Sequence, residues 1–431
     1  MKMRHIHPCL GAILFFLSAA CLCAGEPLSL KDCFRAALKR SEVLASQQEL
    51  VIQAEENYHR AWGAILPAVN GSYSYFHQNA PGLTSSGNTK TSAGQQTLSI
   101  AADQPLFRGL RDFAAVNAAK ASITAKEQAR QWAGMQLYGD VAQAFYGRLA
   151  VQKDLDVLDS ELELYQKRVK ELQDRVSIGR SRIAEVLTVQ AAQAILKAQR
   201  EQVLGQLNVA KEVVAFLTGL DPDVLLDDTD RVPSAIASLE SYQSDIHARP
   251  DVMAASNNLE AARSGISVAK GAYLPSVDLI GNYYIERPDR EKDGDWDVEL
   301  AVTLPIFDGG INKSNVKTAE SQERQSEAQL SLIQRMALED IRSLHHNLKA
   351  DVAQLGALQE AFDISEKNYK ANVKDYELNL VNNLDVLQAL TAYQDTERSL
   401  EKIRYLTKID YNKLEAAAAR RVSQMEGPEK R

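Results

Sequence analysis

His345-His346 is the only pair of adjacent histidines in the chain and so the first place to look for metal chemistry. On a helix, neighbouring side chains point about 100° apart, so the two rings cannot close on one ion. No nucleophile, base or metal-ligand constellation stands elsewhere, so the sequence points to no enzyme, no catalytic residue, no metal and no cofactor. The chemistry it does offer is that of a surface. Asp297, Glu299 and Thr303 alternate with Val298, Leu300 and Val302. On a strand, the first set would line water while the second meets an apolar phase.

That strand, Trp296 to Leu304, is stopped by Pro305, and from Asn312 the chain runs without proline to Pro428 in residues that favour helix. The same junction occurs earlier. Thr97 to Gly109 alternates in the same way, and Pro105-Leu106-Phe107 precedes Pro305-Ile306-Phe307 by 200 residues. Two copies of one unit are therefore expected, over residues 25–235 and 236–424, with a flexible tail at 425–431.

The net charge of −8 comes without a clustered basic face, so no nucleic-acid partner is expected. Lys2 and Arg4, an apolar run from Cys9 to Leu17 and then small residues read as a signal peptide, residues 1–24, cleaved after Ala20 or Ala24. Ser18-Ala19-Ala20-Cys21 is also compatible with lipidation of Cys21. Cys33 would then stand apart from the other cysteines, and disulfides would play no structural part.

Leu28 to Ala64 reads as one helix ended by Leu66-Pro67, Val69 to His77 as a strand, Pro81 to Gln95 as a loop and Gln96 to Asp103 as the second strand. Helix follows from about Arg108. Val151, Leu155, Leu158, Leu162, Tyr165, Val169, Leu172 and Val176 then repeat at alternating steps of four and three, which is a coiled-coil seam. Gly179 suits a left-handed cap, and a second long helix runs from Ile183 to Thr218. In the second half, Arg249-Pro250-Asp251 opens a helix ending at Leu274-Pro275, which is 208 residues after Leu66-Pro67. Val277 to Ile285 is the third strand and Trp296 to Leu304 the fourth. Helix then runs to about Leu378, turns at Asn379 to Asn383 and continues to about Arg420.

Strands of about nine residues suit a thin outer membrane, but four cannot close, and an open sheet in lipid leaves backbone groups without partners. Several copies must share one barrel. Two would give eight strands and a filled interior, and three would give twelve and a lumen lined by Asp297, Glu299 and Thr303. Tyr73, Tyr75, Tyr283, Tyr284 and Trp296 are placed to meet lipid headgroups.

Taken together and in order, the opening Leu28-Ser29-Leu30, both Leu-Pro stops, Arg249-Pro250-Asp251, Pro105-Leu106-Phe107, Pro305-Ile306-Phe307-Asp308-Gly309-Gly310 and Leu384-Asp385-Val386-Leu387 resemble the TolC-type outer-membrane efflux proteins. The resemblance covers the whole mature chain. It implies a mainly α fold with a transmembrane β part, in which a homotrimer forms a twelve-stranded barrel and a long periplasmic tunnel of helical hairpins. It implies a passive exit duct for efflux or type I secretion in the outer membrane, working with a periplasmic adaptor and an inner-membrane transporter. By alignment to the family's constriction, Asp385 and its counterpart Glu185 become gate residues, with Tyr376 close by. Six carboxylates in a trimer would favour cations; alternatively the two acids only stabilise helix starts. Ile178, Gly179, Arg180, Ser181, Arg182, Asn379, Asn382, Asn383 and Leu384 become the adaptor-docking tips. The family's basic tie is absent, Val381 standing in its place, which leaves Arg180 and Arg182 as candidates. The rival reading is an exported coiled-coil adhesin without a pore.

Overall fold

The computed structural model describes residues 27–77, 94–231, 236–287 and 294–420. The expected signal peptide, the Pro81 to Gln95 loop except its last two residues, and the 425–431 tail lie outside them. Eight α-helices and four strands follow in the order α1 (Leu30–Arg40), α2 (Glu42–Gly63), β1 (Ala68–His77), β2 (Gly94–Arg108), α3 (Arg111–Ser177), α4 (Ile183–Thr218), α5 (Leu239–Gln243), α6 (Pro250–Gly271), β3 (Ser276–Glu286), β4 (Trp296–Thr303), α7 (Ile311–Glu377) and α8 (Asn383–Ala417). A short 3-10 turn separates α5 from α6.

The two largest departures from the boundaries read in the sequence are a broken helix and an extended strand. The first helix is broken at Ser41, whose extended backbone and side chain cap the N-terminus of α2 through the Leu44 amide. A serine in that position competes with the helical bond and starts a new helix. Pro105 does not end β2, which runs on to Arg108 with an irregularity at Pro105 that accommodates the missing N–H.

The helix bounds carry the internal offsets. Helices α2 and α6 each have 22 residues and start and stop 208 apart, and α3 and α7 each have 67 and start and stop 200 apart. At about 1.5 Å per residue, α3 and α7 are each roughly 100 Å long. Gly109 and Gly309 share φ values of 67° and 66°, and the hairpin turns at Gly179 and Asn379 share 71° and 57°. Even the turn bonds recur: Gly179 N–H reaches Val176 O at 3.0 Å and Asn379 N–H reaches Tyr376 O at 3.0 Å.

The strands form one antiparallel sheet in the order β1-β2-β3-β4. Directly paired residues share a face, so the register sorts the side chains. Val69, Tyr73, Leu98, Ile100, Ala102, Leu279, Tyr283, Val298, Leu300 and Val302 fall on one side. Asn70, Ser72, Ser74, Thr97, Ser99, Asp103, Asp278, Asn282, Asp297, Glu299 and Thr303 fall on the other. Val298, Leu300 and Val302 are 60–63% exposed, so the protomer presents a largely apolar face to its surroundings.

Next to the sheet, α2 packs on α3, α3 on α6 and α6 on α7; further along, α4 packs on α3, α3 on α8 and α8 on α7. Helices α3 and α7 thus run the full length, while the shorter helices are stacked beside them. Where the two levels meet, the 220–231 segment straps the bundle. Leu28 N–H bonds Leu225 O at 2.8 Å, Asp227 N–H bonds Leu28 O at 2.9 Å, and buried Lys408 reaches Asp228 at 2.6 Å and Asp230 O at 2.6 Å. The Arg249-Pro250-Asp251 motif fastens the start of α6 to α3 and α7. Arg249 is 3% exposed, holds Asp251 at 2.8 Å and Asp340 of α7 at 2.9 Å, and lies 4.2 Å over the Trp132 ring of α3.

One contact between α7 and α8 places two acids together. Asp351, 8% exposed, is pushed up to about 6 by burial and by the adjacent Asp410 carboxylate, to which it is hydrogen-bonded. Asp410 is itself raised by burial, with Lys413 acting the other way. A carboxyl raised in the fold binds its proton more tightly folded than unfolded, so its stabilisation is full below about pH 4 and lost as pH rises through about 6. Asp351→Asn is expected to raise the thermal midpoint at pH 7.5 by a few degrees, on the order of 2 kcal/mol, and to leave it unchanged at pH 4. Circular-dichroism melts at the two pH values check this; an equal shift at both would show that the charge is not the cause.

Candidate functional site

The functional candidates gather where the two helical hairpins, α3-α4 and α7-α8, end. All eight seam residues of α3 lie in or against one apolar cluster shared with Val186, Val189, Leu196, Tyr376, Val386 and Leu390. The corresponding residues of α7, Leu355, Leu358, Phe362, Ser365, Tyr369 and Asn372, are only half-buried, Tyr376 alone being buried, because α7 packs at this level mainly on α8 whereas α3 packs on both α4 and α8.

Asp385 and Glu185 sit at matching places in the first turns of α8 and α4, both half-buried. Asp385 completes a capping box, its carboxylate accepting the Asn382 N–H at 3.0 Å while Asn382 Oδ1 accepts the Asp385 N–H at 3.1 Å. Glu185 accepts from the Ser181 hydroxyl at 2.7 Å and lies 3.5 Å from Arg182. Both acids are therefore fixed in direction by helix-start geometry, and the helix dipole favours their charge.

Arg180 and Arg182 do not bridge the hairpins in this structure. Arg182 is 86% exposed and paired with Glu185 of its own hairpin, and Arg180 is exposed. The bridging cation is Arg168, which sequence reading passed over. Its Nε donates to Asn383 Oδ1 at 3.0 Å and its Nη1 to Glu171 at 2.7 Å, while its guanidinium lies 4.0 Å over the Tyr376 ring. Arg175 covers the same ring at 4.4 Å and is held 3.5 Å from Glu171. Tyr376, 6% exposed, is thus enclosed by two guanidiniums of the other hairpin.

Arg168 is 9% exposed, and among the described residues its Nη2 meets no hydrogen-bond acceptor, so burial leaves part of the guanidinium unpaired. Higher in the same α3-α8 seam, Arg398 forks onto Asp154 at 2.6 and 3.1 Å. Glu161, 8% exposed, is pushed up to about 7 by burial against the pull of Arg398.

Of the expected docking residues, Ile178 and Leu384 are 64% and 54% exposed, and Gly179, Arg180, Arg182, Asn379 and Asn382 are exposed with them. Ser181 is half-buried. Asn383 departs from that expectation. It is 4% exposed, because its amide is the acceptor for Arg168, and it belongs to the bridge and not to the outer surface. Ile183 and Leu380, 62% and 71% exposed, add apolar area to the tips.

In the sheet, Asp297 is held by Asn282 Nδ2 at 2.8 Å and lies 3.7 Å from Arg287, on the polar face with Glu299 and Thr303. His345 bonds Ala237 O at 3.2 Å and its ring is 6.1 Å from that of His346, at 79°. Among the described residues, no group of three or more His, Cys, Asp or Glu is arranged for a metal ion, and no helix is long and apolar enough to cross a membrane.

A sheet apolar on one face and polar on the other, continued into helices about 100 Å long that fold back as hairpins, defines a protomer of an outer-membrane channel. The chain belongs to the outer membrane efflux protein family, whose model matches residues 34–220 and 242–420. The cation efflux system protein CusC of Escherichia coli K12 is 23% identical over 348 residues, covering 75% of this chain and 72% of that protein. The outer membrane protein TolC of Vibrio cholerae is 25% identical over 301 residues, covering 65% and 68%. The crystal structure of VceC, also from Vibrio cholerae, superposes with a TM-score of 0.78 at 20% identity, over 90% of this chain and 95% of that one.

Proposed function

We propose that three copies of this chain form a passive exit duct through the outer membrane, working with a periplasmic adaptor and an inner-membrane transporter that supplies the energy. The observation that carries the reading is the open sheet. Strands β1 and β4 are both edges, and the face of Val298, Leu300 and Val302 is apolar and exposed. In lipid such a sheet must close, and twelve strands close around a lumen whereas eight fill it. Asp297, Glu299 and Thr303 then line that lumen. The two halves of the chain, 25–235 and 236–424, each contribute two strands and one hairpin.

At the far end, the hairpin tips form the adaptor-docking surface through Ile178, Ile183, Leu380 and Leu384 with the exposed polar residues between them. Asp385 and Glu185, repeated three times, ring the opening and favour cations. This accords with the cation efflux named for CusC. The link from Arg168 to Tyr376 and Asn383 holds the two hairpins in register and so holds the opening narrow.

The test is the reversal potential of the purified protein in planar bilayers under a salt gradient. The double variant Asp385→Asn, Glu185→Gln is expected to lose most of its cation preference while keeping its trimer. An unchanged preference would leave the acids as helix caps only.

A further inference from the structure

Between the two hairpins, above their tips, lies a cleft of about 190 Å³. Its apolar lining comes from Leu164 of α3, Tyr369 and Val373 of α7, and Leu387 and Leu390 of α8. Arg168, Glu171 and Asn383 supply polar groups. An apolar cavity of about 150 Å³ takes a benzene-sized molecule, so this cleft has room for such a body with a short polar extension. Tyr369 offers it a fixed flat wall, because its ring is stacked on that of Tyr393 at 5.9 Å and 3°.

The polar lining is unbalanced in two respects. Arg168 donates through Nε to Asn383 and through Nη1 to Glu171, while its Nη2 meets no acceptor among the described residues. Both of those acceptors are walls of the cleft, so the unused donor stands at its polar end. The charge is uneven as well. Glu171 is shared by two guanidiniums, Arg168 at 2.7 Å and Arg175 at 3.5 Å, which leaves one positive charge over in this cluster. A buried donor without an acceptor and a cation without a counter-charge are both costly, and a single carboxylate answers both.

We infer that the cleft is a binding site for a small amphipathic carboxylate, whose acid group accepts from Arg168 Nη2 while a flat apolar body lies against Tyr369, Val373 and Leu387. Glu171, whose side chain is 41% exposed, is the movable wall through which the ligand reaches the guanidinium. Inorganic phosphate fits less well: it brings no apolar body, and its second charge would face Glu171.

The walls come from both hairpins, so the site exists only while the hairpins are held together. A ligand that binds one of two states shifts the protein toward that state. Occupancy leaves the bond from Arg168 to Asn383 in place, gives the guanidinium its missing acceptor and keeps the opening narrow. This consequence rests on the duct proposed above, whereas the binding itself needs only the protomer.

The experiment uses the full-length protein in lipid nanodiscs with phenylbutyrate as the probe. Saturation-transfer NMR, with empty discs subtracted, reads binding, and planar-bilayer recording reads conductance. Phenylbutyrate is expected to bind saturably and at least tenfold more tightly than acetate, which lacks the body, or phenylbutanol, which lacks the charge. Conductance should fall several-fold over the same concentrations. Leu387→Asp, which sets a second acid in the cleft, and Val373→Trp, which fills it, are each expected to abolish both effects, and Leu387→Met to keep them. Phenylbutanol binding as tightly as phenylbutyrate, or both disruptive variants binding like the parent, overturns the site. Selective binding without any fall in conductance overturns the effect on the opening. A protein that binds phenylbutyrate with this selectivity yet conducts no ions bears out the site and sinks the duct instead.

Discussion

Arg168→Met is expected to raise single-channel conductance several-fold and to lengthen openings, with trimer and helix content retained. Arg168 donates charge-assisted hydrogen bonds to Asn383 at 3.0 Å across the hairpins and to Glu171 at 2.7 Å, and it stacks on Tyr376 at 4.0 Å. A hydrogen bond to a charged group contributes about 1.5–3 kcal/mol and a desolvated cation–π contact up to about 2 kcal/mol, so the link across the hairpins is on the order of 3 kcal/mol per protomer. About 5.5 kcal/mol takes a two-state equilibrium from 99:1 to 1:99, which three weakened copies exceed. Methionine keeps an unbranched apolar stem while removing every donor. Planar-bilayer recording is the measurement, and Lys167→Met, an exposed neighbour, is the control. If the Arg168 variant conducts like the parent, the hairpin link does not restrain the opening.

That Arg168 escaped sequence reading has a physical cause. Its neighbour Val169 belongs to the seam, and a four-three pattern registers only apolar positions. The partners Tyr376 and Asn383 lie 208 and 215 residues further on, so no local spacing connects them to it. The family resemblance points to Val381, where a cation is missing, and to the arginines nearest the turn. The structure supplies the cation from the facing hairpin instead, eleven residues before Gly179.

What could be read was what repeats or alternates. The strand faces followed from period two, the α3 seam from its heptads and the turns from Gly179 and its partner Asn379. Ser41 was illegible because a lone serine in a helical composition is as often a surface residue as a cap. The run of β2 through Pro105 was missed for the opposite reason: proline is a reliable stop in a central strand, yet an irregularity at that point absorbs it. Asn383 was assigned to the surface by its place in a turn sequence, and only the three-dimensional approach of Arg168 draws it inside.

Gly109→Ala and Gly271→Ala are expected to prevent the protomer from folding, the second although alanine is ordinarily the better helix residue. At Gly109 two costs coincide. The left-handed backbone, φ 67°, costs a non-glycine residue about 1–2 kcal/mol, and a Cβ would meet Gly271 O at 2.2 Å, where neither partner is a movable side chain. Relief requires parting the β2-α3 corner from the end of α6, and that corner is where the sheet is fastened to the tunnel. Gly271 carries no backbone strain, so Gly271→Ala isolates the contact from the conformation. Overpacking typically costs about 1–3 kcal/mol where side chains can shift, and here the backbone itself must move. Folded yield after refolding into detergent, with proteolysis of the long helices as readout, measures both. Gly309→Ala provides the comparison, since it bears a nearly identical φ of 66° but has open space in the protomer. Its folded monomer should form with only the conformational penalty. Equal losses for Gly109→Ala and Gly309→Ala, with none for Gly271→Ala, would mean that backbone conformation alone sets the requirement and that the crossing of the two chains contributes nothing.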